Sequence, residues 1–188
     1  MKNKKMFEIV ILGRGGQGAK SLGEIIAQGA GLEDKYTQAF PEFGPERSGA
    51  PVKAFVRISL EKIRTKETIT NPDCILVLDE KLLAEKNSLI NLKNNKTWIV
   101  NSKLSSQELR KKWKINQPVV SVNASGLAEE FLGKNFPNLG ILGKFIFTTE
   151  QISLESGLSA YEKVYTSKID PQKIFAGKKI IQKAYHLI

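Results

Sequence analysis

The spacing of apolar residues divides the chain into an α/β part and a helical part. Phe7-Glu-Ile-Val-Ile-Leu12 is a short β-branched run that ends at a glycine cluster, and Leu22, Ile25, Ile26 and Leu32 then recur near helical spacing. This predicts strand, tight loop, helix, with a second strand over Tyr36 to Phe40. After a Pro/Gly-rich stretch, Val52, Ala54, Val56 and Ile58 alternate with Lys53, Phe55, Arg57 and Ser59. A second alternating set at Ile63, Thr65, Glu67 and Ile69 predicts a hairpin turning near Leu60 to Lys62. Asn71-Pro72-Asp73 breaks the pattern, and Cys74 to Leu78 is a continuous apolar run of the kind found in strands buried on both faces of a parallel sheet.

Leu82, Leu83, Leu89 and Ile90 predict a helix after that central strand. Thr97 to Val100 and Val119 to Val122 supply two further strands, separated by a polar, basic segment. From Ser125 onward strands give way to helical stretches around Leu127 to Leu132, from Leu139 to Phe147 and from Leu154 to Tyr165. Asp170-Pro171 forms an N-cap and first-turn pair for a last helix, with Ile174, Ile181, Ala184 and Ile188 near one face. The expected fold class is α/β: a Rossmann-like, mostly parallel sheet flanked by helices, with a β-hairpin and a helical C-terminal third.

With 188 residues, 41% of them hydrophobic, the chain has material for one core, so a single domain over 1–188 is expected. No apolar run approaches the roughly 20 residues of a membrane helix, and Met1 to Lys5 lead straight into strand; a soluble, cytoplasmic chain without membrane contact is expected. One cysteine, Cys74, and one histidine, His186, are too few for an iron–sulfur cluster or a structural zinc site built by this chain alone. The net charge of +10 is compatible with nucleic acid, an anionic ligand, an acidic partner or a lysine-rich surface. The basic groups around Lys2, Lys4 and Lys5, and around Arg110, Lys111, Lys112 and Lys114, form no continuous stripe, which favours a solvated surface and no nucleic acid.

Gly13, Arg14, Gly15, Gly16, Gln17 and Gly18 lie between the first strand and the first helix, the context in which a G-x-G-x-x-G pattern has physical content. Glycines allow a sharp turn and close approach of a ligand, and unpaired N–H groups at the helix start favour a phosphate. Arg14 adds a charge that can meet it. Three readings stay open: phosphate or nucleotide contact, tight strand–helix packing alone, or NAD(P)-dependent chemistry. The last needs an acidic residue at the end of the second strand, whereas Glu33 and Asp34 precede that strand.

The second unusual segment runs through Phe40, Pro41, Glu42, Phe43, Gly44, Pro45, Glu46 and Arg47 to Pro51. Prolines stiffen it, and phenylalanines beside charges suit a protein interface, while a rigid connector over its own sheet is the alternative. Arg47 can pair with Glu46 or reach a phosphate or partner carboxylate. Asp79 ends the central strand at the edge where α/β proteins gather ligands and also suits a helix N-cap; Asn101 and Asn123 end later strands similarly. No Ser–His–Asp set and no distinctive carboxylate pair emerges. The inventory is that of a binding chain.

Gly13 to Gly18, Phe40 to Pro51, Val56-Arg-Ile-Ser59 and Pro72-Asp-Cys-Ile-Leu-Val-Leu-Asp79, in this order and spacing, resemble the gamma subunits of 2-oxoacid:ferredoxin oxidoreductases. Asn138-Leu-Gly-Ile-Leu-Gly143 and the helical tail extend the resemblance over nearly the whole chain. It implies a subunit of a pyruvate:ferredoxin oxidoreductase, or pyruvate synthase, which decarboxylates pyruvate oxidatively to acetyl-CoA. Thiamine diphosphate and 4Fe–4S clusters would reside in partner subunits (alpha, beta and a ferredoxin-like delta). This chain would help bind coenzyme A and hold no cofactor itself. A 2-oxoglutarate or branched-chain 2-oxoacid complex, a free-standing NAD(P)-dependent oxidoreductase, and a basic nucleic-acid-binding or adaptor protein are the rival readings.

Overall fold

The computed structural model describes residues 6–42, 49–85 and 97–187. The first apolar run becomes strand β1 (Met6–Arg14), the loop and helix that follow give α1 (Ala19–Gly31), and β2 is Tyr36–Pro41. The alternating segment is β3 (Pro51–Ser59), and the continuous apolar run is β4 (Cys74–Val77) with every residue buried. A 3-10 turn (Glu80–Glu85), β5 (Thr97–Asn101), α2 (Ser106–Trp113) and β6 (Val119–Val122) follow. Four helices close the chain: α3 (Ala124–Leu132), α4 (Asn138–Thr149), α5 (Leu154–Tyr165) and α6 (Pro171–His186).

The sheet order is β2-β3-β1-β4-β5-β6. β1, β4, β5 and β6 pair in parallel, and β3 alone runs against its neighbours β1 and β2. Strand alternation splits the core into two layers. Ile9, Ile11, Val56, Leu76 and Ile99 face α1 and α3–α6, while Val10, Leu12, Phe55, Ile75, Val77, Trp98 and Val100 pack against Leu82, Leu83 and Leu109 on the other side.

The α/β class, the central place of the Cys74 run and the helical C-terminal part are as expected. The hairpin is not. β3 pairs on one side with β1 and on the other with the earlier β2, so no backbone edge is left for residues 63–69, which form no strand. That stretch is a strap: Ile69 is buried, and the Glu67 carbonyl accepts a hydrogen bond from the buried Arg57 guanidinium. Leu32 also departs from expectation. It lies past the end of α1 and is exposed. Of the helix expected after β4, the 3-10 turn buries Leu82 and Leu83, while Leu89 and Ile90 lie outside the described residues.

α4 is the strut of the helical layer. Asn138 to Ile146 are all buried, and apart from Asn138 and Lys144, whose ammonium donates to the Leu187 carbonyl, the buried surface is apolar. Its glycines permit close approach: a Cβ on Gly140 would stand 2.6 Å from that of Ala124, and one on Gly143 would collide with the Ile181 carbonyl of α6. This packing presses the first residue of α4 against the glycine loop, with consequences for the site.

Candidate functional site

The glycine loop is a closed turn whose members have different tasks. The Gln17 side chain accepts the Arg14 backbone N–H at 2.8 Å, and the Gln17 N–H donates to the Arg14 carbonyl at 3.0 Å. A Cβ on Gly13 would lie 3.0 Å from Leu78, so this position is set by strand–loop packing. Gly16 and Gly18 have φ of 93° and 82°, in the left-handed region that glycine enters without penalty. Beside Gly16 there is open space, while a Cβ on Gly18 would lie 2.6 Å from Asn138 Nδ2.

Arg14 is committed on one side. Its Nε donates to Asp79 Oδ2 at 2.7 Å and its Nη1 to the Gly49 carbonyl at 3.1 Å. Asp79 Oδ1 in turn accepts the Lys81 N–H at 2.9 Å, so both roles considered for Asp79, turn cap and charged partner, are realised. The Arg14–Asp79 pair spans β1 and β4, where the chain's winding reverses direction across the sheet, the usual position of ligand crevices in open α/β sheets. The Gly15 N–H donates to the Ala50 carbonyl at 3.0 Å, joining the glycine loop to the end of the Phe40–Pro51 segment. Two motifs far apart in sequence therefore form one wall.

That wall borders a cleft of about 910 Å³, lined by Arg14, Gly15, Gly16, Gly18, Lys20, Glu42, Lys53, Phe136, Asn138 and Tyr165 among others. Two helices begin at it. The first intrahelical bonds of α1 and α4 are made by the N–H groups of Leu22 and Ile141, which leaves those of Ala19 to Ser21 and of Asn138 to Gly140 without intrahelical acceptors. Neither helix has a side-chain cap or an acidic residue in its first turn. The other four α-helices of the described residues are capped by Ser105, Asn123, Ser153 and Asp170. The cleft thus receives the positive ends of two helices together with the Lys20 and Lys53 ammonium groups. Lys53 shares its charge with Glu42 at 3.3 Å.

Lys20, Lys53, Phe136 and Tyr165 had no site role in the sequence, and neither had Asn138, named there only as the start of the 138–143 stretch that carries the resemblance. Asn138 is 97% buried, with 3% relative exposure, and its Oδ1 has no hydrogen-bond partner. The only local signal was Pro137 ahead of a long apolar run. Of the proline-rich segment, Phe40 stacks on Phe55 at 5.2 Å and lies 5.5 Å from the Arg57 guanidinium, while the Glu42 N–H donates to the Lys53 carbonyl. Phe43, Gly44, Pro45, Glu46 and Arg47 lie outside the described residues.

A second, shallower crevice of about 480 Å³ sits outside the ends of β4–β6. Its polar groups are knit to one another: Asn101 Nδ2 donates to the Leu78 carbonyl and to Ser125, Asn101 Oδ1 accepts the Ser125 N–H, and Asn123 caps α3. Lys112 binds Glu80 at 2.8 Å.

Other features bear on the chemistry. Burial between strands, reinforced by the nearby Asp73 carboxylate, pushes the Cys74 thiol far above its ordinary range, so it is no nucleophile or thiolate ligand. Among the described residues no group of His, Cys, Asp and Glu is placed to hold a metal ion, and no helix is long and apolar enough to cross a membrane. The topology also bears on NAD(P) chemistry. β3 stands between β1 and β2, so the end of β2 lies about 10 Å from β1 rather than the ~5 Å of adjacent strands that a dinucleotide fingerprint uses.

Comparison with known proteins identifies the family. The family described as pyruvate ferredoxin/flavodoxin oxidoreductase matches residues 8–187. The pyruvate synthase subunit PorC of Thermotoga maritima is 37% identical over 182 residues, covering 97% of this chain and 94% of the relative. The common gamma subunit of the pyruvate/ketoisovalerate oxidoreductases of Pyrococcus furiosus is 38% identical over 179 residues, covering 95% and 97%. The crystal structure of the Thermotoga maritima pyruvate oxidoreductase subunit superposes with a TM-score of 0.83 at 35% identity, over 97% of this chain and 96% of that one. A 2-oxoglutarate:ferredoxin oxidoreductase from Magnetococcus marinus shares the fold at 18% identity and a TM-score of 0.76, over 97% of this chain and 31% of that longer one. The chain belongs to the pyruvate ferredoxin/flavodoxin oxidoreductase family and aligns nearly end to end with its gamma-type subunits.

Proposed function

We propose that this chain is the gamma-type subunit of a cytoplasmic pyruvate:ferredoxin oxidoreductase, and that the glycine-loop cleft receives the phosphates of coenzyme A. The assembly converts pyruvate and coenzyme A to acetyl-CoA and carbon dioxide, with the electrons passing to ferredoxin. The observation that carries the reading is the meeting of two uncapped helix N-termini, the open backbone at Gly16 and two lysines in one cleft. Such a place stabilises a phosphate with fixed dipoles and N–H donors that need no reorganisation. The Magnetococcus marinus structure that shares this fold contains coenzyme A and succinyl-CoA, which supports the same ligand class here.

This chain's residues do not fit the redox centres. Its one thiol is sealed inside β4, far from the four thiolates a cluster takes. In this reading thiamine diphosphate and the 4Fe–4S clusters are held by the alpha, beta and delta partner subunits, and gamma contributes a wall that binds and orients coenzyme A. The segment from Phe40 to Arg47, attached beside the cleft at Glu42, is the proposed contact with those partners. Pyruvate is the favoured 2-oxoacid. Relatives at 38% identity are common subunits of pyruvate and ketoisovalerate oxidoreductases, so a branched-chain 2-oxoacid is a second substrate that partner exchange could supply.

The test replaces Gly15 or Gly16 with valine in the reassembled complex. The Gly16 side chain would project into open space and obstruct the ligand without a clash in the core, but at φ 93° it strains the loop backbone, so the thermal midpoint of the variant is read beside its kinetics. The KM for coenzyme A should rise while that for pyruvate stays nearly unchanged; equal behaviour of both substrates would contradict the assignment.

A further inference from the structure

We infer that Asn138 is a ligand-contacting residue of this cleft, and that its side-chain amide and the first turn of α4 take one phosphoryl group of a diphosphate whose other phosphoryl sits on the glycine loop. The inference rests on the proposed coenzyme A reading and specifies how the ligand is read.

Four observations converge on it. Asn138 is 97% buried, yet its Oδ1 has no partner, and among the described residues its side chain makes no hydrogen bond. Buried amides are otherwise satisfied in folded proteins, and one left open beside a cleft is held for something that arrives there. The side chain lines the cleft and abuts Gly18, so it sits at the boundary between the two helix starts rather than deep in the helical layer. Backbone N–H groups of α4 from Asn138 to Gly140 have no intrahelical acceptor, and no side chain caps them. α4 is fixed behind Asn138 by the close contacts of Gly140 with Ala124 and Gly143 with Ile181, so the amide is presented by a rigid element.

The chemistry follows from the spacing. Because Gly18 and Asn138 are in contact, the two helix N-termini are neighbours and suit the linked phosphoryl groups of a diphosphate better than two distant phosphates. The amide Nδ2, the end that stands nearest Gly18, is the donor for a phosphate oxygen, so it meets the ligand without rotating. A monophosphate can satisfy one helix start; a diphosphate satisfies both.

The experiment uses the complex reassembled with Asn138→Ala, Asn138→Asp or Gly16→Val, and adds ADP and AMP as inhibitors competing with coenzyme A. The wild type should bind ADP more tightly than AMP. Asn138→Ala should erase that preference and raise the KM for coenzyme A about tenfold, the factor carried by one charge-assisted hydrogen bond of about 1.4 kcal/mol, with the pyruvate KM unmoved. Asn138→Asp, which puts a negative charge at the same place, should raise it further. Thermal midpoints of the full chain separate this from a structural role: an unpartnered amide contributes no hydrogen bond, so Asn138→Ala should lower the midpoint by no more than the small cavity costs, a few degrees. If Asn138→Ala preserves the ADP preference while Gly16→Val weakens coenzyme A, the inference falls and the functional reading stands. Unchanged coenzyme A kinetics in all three variants would overturn both, and a midpoint lowered by more than the cavity accounts for, with parallel shifts for both substrates, would make Asn138 structural.

Discussion

Gly18→Ala probes the joint between the glycine loop and α4, and its cost can be worked from the geometry. Alanine at φ 82° costs about 1–2 kcal/mol in left-handed strain, part of which is returned because alanine also restricts the unfolded chain. The new Cβ would stand 2.6 Å from Asn138 Nδ2, so the amide must leave its rotamer at about 0.5–1.5 kcal/mol. With a net backbone part of about 1 kcal/mol, the sum is about 1.5–2.5 kcal/mol. Gly16→Ala, at φ 93° with open space around it, carries only the backbone part, about 1 kcal/mol. At about 2–4 °C per kcal/mol for a chain of this size, the thermal midpoint should fall roughly twice as far for Gly18 as for Gly16. Calorimetry of the two variants and of Gly18→Ala/Asn138→Ala is the assay. The double variant removes the amide that the new Cβ meets and should recover about 1 kcal/mol by non-additivity. Equal midpoints for the two single variants, or strict additivity in the double, would refute the contact between loop and helix.

Three further outcomes are expected. Burial raises the carboxyl pKa of Glu33, but hydrogen bonds from the Ser153 N–H at 2.6 Å and Lys35 Nζ at 2.9 Å outweigh it and bring it down to about 2 from an ordinary 4.5. Its stabilisation is therefore present above the ordinary value and lost as pH falls toward 2. With solvent screening allowed for, urea titrations of wild type and Glu33→Gln should differ by about 1 kcal/mol at pH 7 and converge near pH 2; a constant gap would refute this. Arg57 is 2% exposed, paired with Glu8 at 3.1 Å and bonded to Gln38 at 2.8 Å. Arg57→Met should cost about 3–5 kcal/mol in urea unfolding, and Arg57→Met/Glu8→Gln less than the sum of the single changes. Cys74 should resist a thiol reagent in the native chain and react promptly in denaturant; fast native labelling would contradict its burial.

Strands and helices with many apolar positions were legible because their period repeats over several turns. Cys74 to Val77 and Pro171–His186, the latter with its Asp170 cap, follow directly from local pattern. α2 was not read from a segment with a single buried residue, Leu109, although Ser105 and Glu108 form a complete capping box that marks its start. The alternation at residues 63–69 matches a strand's, but whether a strand forms depends on a free edge, and β2 had already taken the one beside β3. That is a property of the whole sheet, invisible in a local window. Likewise Gly13 to Gly18 marked a strand–loop–helix turn open to several readings, whereas the approach of Asn138 depends on glycines of α4 closing against α3 and α6. Arg14, read as a ligand contact, also braces the loop through Asp79 and Gly49.

The most direct measurement is the equilibrium affinity of coenzyme A for the assembled complex without pyruvate, by titration calorimetry, with wild-type chain and with Lys20→Glu. Lys20 lines the cleft at the start of α1, and no described carboxylate pairs with it. Reversing its charge replaces an attraction by a repulsion at the phosphate site. Affinity should drop at least several-fold, by about 1–2 kcal/mol, with wild-type binding weakening as salt rises. Identical affinities in the two complexes, at low salt and with assembly verified, would contradict a coenzyme A site on this chain.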